Sequence, residues 1–197
     1  MNDKRLPLLL SEIGACQRCA MHLPHGPRPV VQAGAGARLL IVGQAPGRKV
    51  HDTGIPWNDP SGDRLRTWLQ LSREDFYDPG RVAIVPTAFC YPGKGRNGDL
   101  PPRPECAPAW HAPLLEAMPE VQLTLLIGRY AQEFYLRDNG KPTLTETVAA
   151  YREYLPYYLP LPHPSPRNRY WFTTHPWFEQ DVLPELRRRI QSILNAQ

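Results

Sequence analysis

The stretch Arg38-Leu-Leu-Ile-Val-Gly-Gln-Ala-Pro-Gly47 constrains this chain more than any other. Its apolar part is short and is closed by Gly, Pro and Gly, which reads as a buried strand entering a tight turn. Gly43 and Gly47 carry no side chain, so the backbone N–H groups of that turn can approach a ligand closely. Far downstream, His163-Pro-Ser-Pro166 places a histidine at the start of a rigid loop, again just after an apolar run. Two such loops on one parallel sheet face each other at the carboxyl ends of the strands, where open α/β sheets bind ligands.

The rest of the pattern agrees. Strands are expected over 38–42, 82–85, 123–127 and 157–161, with Pro160 marking the last as short or at an edge. Helices are expected over 4–15, 61–71, 105–118 and 129–137, with a final one from near Pro176. Asp59 or Ser61 is placed to cap the second helix, whose Leu65, Trp68, Leu69 and Leu71 suit an inward face. In the last helix Phe178, Val182, Leu186, Ile190 and Ile193 share one face, with Arg187, Arg188 and Arg189 mostly outside it. Alternating strand and helix imply a parallel sheet with helices on both faces, in one domain over 1–197.

Several function classes fall away. No run of apolar residues is long enough to span a bilayer. The apolar part of Met1–Leu10 is too short for a signal peptide, so a cytoplasmic protein is expected. The turn is not a phosphate loop: three residues separate Gly43 from Gly47, and Val50 stands where magnesium chemistry needs Ser or Thr. Neither a dinucleotide fingerprint nor a G-x-S-x-G elbow follows a strand. The net charge of +4 fits a polyanionic partner without identifying one. The 24 prolines gather at 24–29, 92–104 and 156–166, which implies stiff, ordered loops.

All four cysteines fit one pattern: Cys16-x2-Cys19, then Cys90, then Cys106 beyond a Pro/Gly loop. In a cytoplasmic protein this favours metal or cluster ligation over disulfides. Spacing alone leaves both tetrahedral zinc and a [4Fe–4S] cluster open, since each accepts four thiolates.

Taken together, Gly43-Gln-Ala-Pro-Gly47 and His163-Pro-Ser-Pro166 resemble the two signature motifs of the uracil-DNA glycosylase superfamily. Gly54-Ile-Pro-Trp57 and Ser61-Gly-Asp-Arg-Leu65 extend the likeness, and the cysteine spacing is similar to that of its iron–sulfur branch, over roughly residues 10–190. The resemblance implies a three-layer α/β/α fold with a four-stranded parallel sheet. It implies a [4Fe–4S] cluster on Cys16, Cys19, Cys90 and Cys106, with zinc as second candidate. It implies a monomeric, nucleoid-associated enzyme that acts on DNA containing a deaminated base, hydrolyses the N-glycosidic bond and leaves the backbone uncut. His163 would stabilise the departing base, Trp57 would stack on it and Gln44 would contact its edge. Gly43, Ala45, Pro46, Gly47, Thr87 and Ser165 would complete the base site. Lys94, Arg96 and Arg103 in one loop, and Arg167 and Asn168 after the histidine motif, would meet DNA.

The sequence also departs from the family pattern. Ala45 stands where the best-known branch has a water-activating aspartate, and Gln44 where the iron–sulfur branch usually has Glu. Pro86 replaces an asparagine that reads the base edge, with Thr87 as a partial substitute. Asp52, Asp59 and His51 are the candidates left to orient water. These departures open a second reading, a catalytically weak module of the same fold that binds damaged or single-stranded DNA. A zinc-stabilised protein with no nucleic-acid role is a third.

Overall fold

Residues 5–96 and 98–195 are described by a computed structural model. Residue 4 of the first expected helix lies outside them. In chain order the main elements are α1 (Arg5–Gly14), β1 (Leu39–Val42), α2 (Arg48–Thr53), α3 (Pro60–Leu69), α4 (Arg73–Tyr77) and β2 (Val82–Ile84). A hairpin follows, β3 (Lys94–Gly95) and β4 (Gly98–Asp99), then α5 (Cys106–Glu116), β5 (Leu123–Ile127) and α6 (Arg129–Leu136). The chain continues through α7 (Leu144–Ala149), β6 (Tyr158–Leu161) and α8 (Arg169–Thr174) to α9 (Leu183–Asn195).

The four long strands form one parallel sheet in the order β2-β1-β5-β6. Every residue of β1, β2 and β5 is buried, as continuous apolar strands covered on both faces must be. Alternation along each strand splits the core in two. Leu39, Ile41, Leu125 and Ile127 face α3 and α9 through Leu65, Trp68, Leu186 and Ile190. Leu40, Val42 and Leu126 face α1, α5 and α6 through Leu9, Ile13, Leu114 and Ala131. This is the expected three-layer architecture. β6 lies at the sheet edge, which is where a strand containing Pro160 can be accommodated.

Local signals set the helix ends. Asp59 caps α3 by accepting from the Gly62 N–H at 2.8 Å, and Gln70 ends it in the left-handed region at φ 53°. The sequence reading did not anticipate α2, α4, α7 or α8, which are all six residues or fewer. Such short helices bury too few side chains for periodicity to register. The chain steps from β1 to β2 on one side and returns through β5 on the other. That reversal opens a crevice at the carboxyl ends of β1 and β5.

Candidate active site

A cleft of about 690 Å³ fills that crevice. This volume lies within the roughly 300–1,000 Å³ usual for small-ligand sites. Gly43 to Gly47 form one wall, Trp57 and Asp59 another, and His163 with Ser165 to Asn168 a third. The Gly-Pro turn and the indole therefore share one cavity with an imidazole more than a hundred residues further along the chain.

The turn is held from its far side. The Thr87 and Ala88 N–H groups donate to the Gly43 and Gln44 carbonyls at 2.9 and 3.0 Å. Thr87 also donates its hydroxyl to the Gln44 carbonyl at 2.5 Å and is buried. Thr87 thus braces the turn and does not line the cleft. Pro86 does line it, and its carbonyl faces away to accept from His111 Nε2 at 3.0 Å. Since a carbonyl only accepts, Nε2 carries the proton and Tyr135 donates its hydroxyl to Nδ1, at 2.8 Å. Burial pushes the His111 pKa down to about 4, so the ring stays neutral and the brace intact at neutral pH.

Trp57 sits with φ at 54°, a left-handed conformation that a bulky residue adopts only when its surroundings impose it. They do so here. Buried Arg66 donates to the Trp57 carbonyl at 3.3 Å and pairs with Asp63 at 2.5 Å. A Cβ on Gly62 would overlap that same carbonyl, 1.7 Å away, so only glycine fits there. The indole lies against Gly43, whose missing Cβ would come within 2.9 Å of the ring. Its centroid is 5.5 Å from that of His163, at a tilt of 34°. The two rings stand as neighbours in the cleft.

His163 is oriented by its own loop. The Ser165 N–H donates to Nδ1 at 3.1 Å, which makes Nδ1 an acceptor and leaves the proton of the neutral ring on Nε2. Burial pulls the His163 pKa below the ordinary histidine value, and the Asp59 carboxylate opposes this more weakly. Asn168 donates to the His163 carbonyl at 2.8 Å, and Arg64 to the Ser165 carbonyl at 3.3 Å. The Asn168 amide is thus engaged inside the protein, while the Arg167 side chain is exposed beside the cleft.

The remaining candidates separate. Lys94 and Arg96 stand exposed on the hairpin. Arg103, expected beside them, pairs instead with Glu105 and borders the cysteine pocket. Of the water-orienting candidates, Asp52 is paired with Arg48 at 2.9 Å, and neither it nor buried His51 lines the cleft. Asp59 lines it, with its Oδ1 on the α3 cap. A carboxylate absent from the sequence reading, Asp99 of β4, does reach the cleft. Nothing in its spacing from Gly47 pointed there.

Cys16, Cys19, Cys90 and Cys106 line a second, separate pocket with Phe89 and Trp110 among its walls. Burial pushes the thiol of Cys106 up to about 12 and that of Cys90 up to about 11, with the neighbouring cysteines adding to the rise. Cys19 rises too, through burial and then Glu105. The Phe89 N–H donates to Cys106 Sγ at 3.4 Å. In kind, four thiols with an N–H donor among apolar walls are the donor set of a thiolate-bound centre. Among the described residues, no three or more His, Cys, Asp or Glu side chains are placed to hold a metal ion.

Residues 31–187 match the family model of the uracil DNA glycosylase superfamily. The chain belongs to that superfamily. It is also similar in structure to a candidate uracil DNA glycosylase from Methanosarcina acetivorans solved by solution NMR, at 16% identity and a TM-score of 0.49. That match covers 80% of this chain and 93% of the other. Members of the superfamily act on DNA. Among the described residues no helix is long and apolar enough to cross a membrane.

Proposed function

We propose that this protein excises uracil or a related deaminated base from DNA by hydrolysing the N-glycosidic bond, leaving an abasic site. One observation carries the reading: the Gly-Pro turn, Trp57 and a histidine with its proton directed to Nε2 share one cleft. Excision requires the nucleotide to leave the stack and enter a pocket. Trp57 offers the flat surface, worth about 1–3 kcal/mol per base. Nε2–H of neutral His163 donates to a base carbonyl oxygen and gains strength as negative charge builds on the leaving base. Gln44 and the backbone of Gly43 to Gly47 contact the base edge and sugar. Exposed Arg167, Arg169 and Tyr170 extend the site toward the duplex.

The test is a panel of labelled oligonucleotides carrying uracil, hypoxanthine, xanthine or an oxidised pyrimidine, treated with alkali after incubation. Strand cleavage at one of these bases, lost in His163→Ala while DNA binding persists, is the expected result. Binding should also weaken steeply with salt, as phosphate contacts require. The second reading, a binding module, is favoured by Ala45 and Pro86, which bring neither carboxylate nor amide to the cleft. Retained gel shift without cleavage of any base on the panel supports it.

We further propose that Cys16, Cys19, Cys90 and Cys106 hold a [4Fe–4S] cluster, supported by their shared pocket and by the family resemblance of their spacing. Such a cluster would be structural, tying the N-terminal segment to the 90–106 loop. A brown preparation absorbing near 400 nm is expected; a colourless protein containing one zinc rejects the cluster.

A further inference from the structure

The turn lacks a carboxylate of its own at Ala45, yet excision by water needs a group to orient the water and take its proton. We propose that Asp99, delivered from the β3–β4 hairpin, is that group; this inference rests on the glycosylase reading. Three observations converge on it. Asp99 lines the cleft beside the turn, and a Cβ on Gly47 would stand 3.6 Å from its Oδ2. Its Oδ1 accepts from the hydroxyl of buried Tyr91 at 3.3 Å, which fixes the carboxylate and leaves Oδ2 toward the turn. The other cleft carboxylate, Asp59, holds its Oδ1 on the Gly62 N–H of the α3 cap.

In the step itself, the water oxygen bonds to the sugar C1′ as the bond from C1′ to the base nitrogen breaks. The bonding pair leaves on the base, where His163 Nε2–H stabilises the negative charge. One proton of the water passes to Asp99 and from there through solvent to the departed base anion, so nothing is oxidised or reduced. The side chain is exposed, so it can exchange that proton with solvent.

Lys94 is the cross-strand partner of Asp99, and Arg167 lies against Gly98 of the same strand. Around Tyr91 stand Arg48 and Asp52 of α2, with the rings of His25 and His51 at 5.5 and 5.9 Å. Asp59 and His163 lie across the cleft.

The experiment is single-turnover excision by wild type, Asp99→Asn, Asp99→Ala and Tyr91→Phe, using whichever oligonucleotide of the panel the wild type cleaves. Affinity for DNA carrying a tetrahydrofuran abasic analogue is measured alongside. Loss of a general base should slow Asp99→Asn and Asp99→Ala by about 100-fold or more. Affinity and melting temperature should stay unchanged in the isosteric Asp99→Asn. Formate should restore part of the Asp99→Ala rate. Tyr91→Phe should slow excision less than Asp99→Asn, because it removes only the hydroxyl that holds Oδ1. Wild-type excision matched by Asp99→Asn overturns this inference alone. A wild type that cleaves none of the panel overturns the glycosylase reading and this inference with it.

Discussion

The cleft takes its walls from the loops after β1 and β6, the segment between α2 and α3 and the hairpin, whereas the cysteine pocket collects its thiols from the segment after α1, the loop after β2 and the first turn of α5. In and behind the cleft several polar side chains are engaged with backbone: Asp59 on Gly62, Thr87 on Gln44, Asn168 on His163. Those bonds hold the shape and leave His163 Nε2 and Asp99 Oδ2 toward a ligand. In the pocket the relation is reversed. Burial raises the thiols of Cys90 and Cys106 well above neutral pH, so a cationic centre would be needed to ionise them there.

The largest expected effect sharpens that division. His163→Ala should slow excision about 100- to 1,000-fold, the cost of losing one preorganised donor. It should leave any absorption near 400 nm untouched, as read by single-turnover kinetics and a visible spectrum; a parallel loss of colour would mean the two regions are not independent.

Next is acid stability. A histidine held neutral by burial binds its proton less readily folded than unfolded, so stability is lost as pH falls from about 6.5 through the folded-state value. For His111, whose folded value is about 4, the loss by the bottom of that window is about 3 kcal/mol. His163 and His51, also lowered chiefly by burial, act in the same direction. Denaturant melts between pH 7 and pH 4 should show the decline, and His111→Phe should flatten it at some cost in stability at pH 7. An unchanged slope would remove His111 from the brace behind Pro86.

A smaller effect is expected at Trp57. Trp57→Ala should weaken binding of uracil-containing DNA by about 1–3 kcal/mol while undamaged DNA binds as before, measured by fluorescence anisotropy. The smallest concerns Thr87, whose hydroxyl braces the turn from behind. Thr87→Val should cost about 1 kcal/mol of stability and leave base preference unaltered. A changed preference on the oligonucleotide panel would place Thr87 in base reading after all.

Much of the frame was legible because its signals are local. Leu39 to Val42 and Leu123 to Ile127 are largely apolar runs ended by glycine, and Pro160 marks an edge. The meeting of Gly43 with His163 followed from the rule that parallel strands gather their carboxyl ends. What escaped the sequence depends on contacts that spacing does not encode. Asp99 reaches Gly47 only because the hairpin folds back over the turn. Arg66 looks like a surface arginine on a helix, yet it is buried to hold the Trp57 backbone. Arg103 sits near Lys94 in sequence, but Glu105 and the cysteines draw it to the other pocket.

The most direct measurement is a crystal structure with an oligonucleotide carrying 2′-fluoro-2′-deoxyuridine, whose fluorine slows bond cleavage. The account predicts the uracil ring extruded into the cleft against Trp57, with a carbonyl oxygen within hydrogen-bond distance of His163 Nε2. DNA bound with its bases stacked and the cleft empty, or a base held on another face of the molecule, would contradict it.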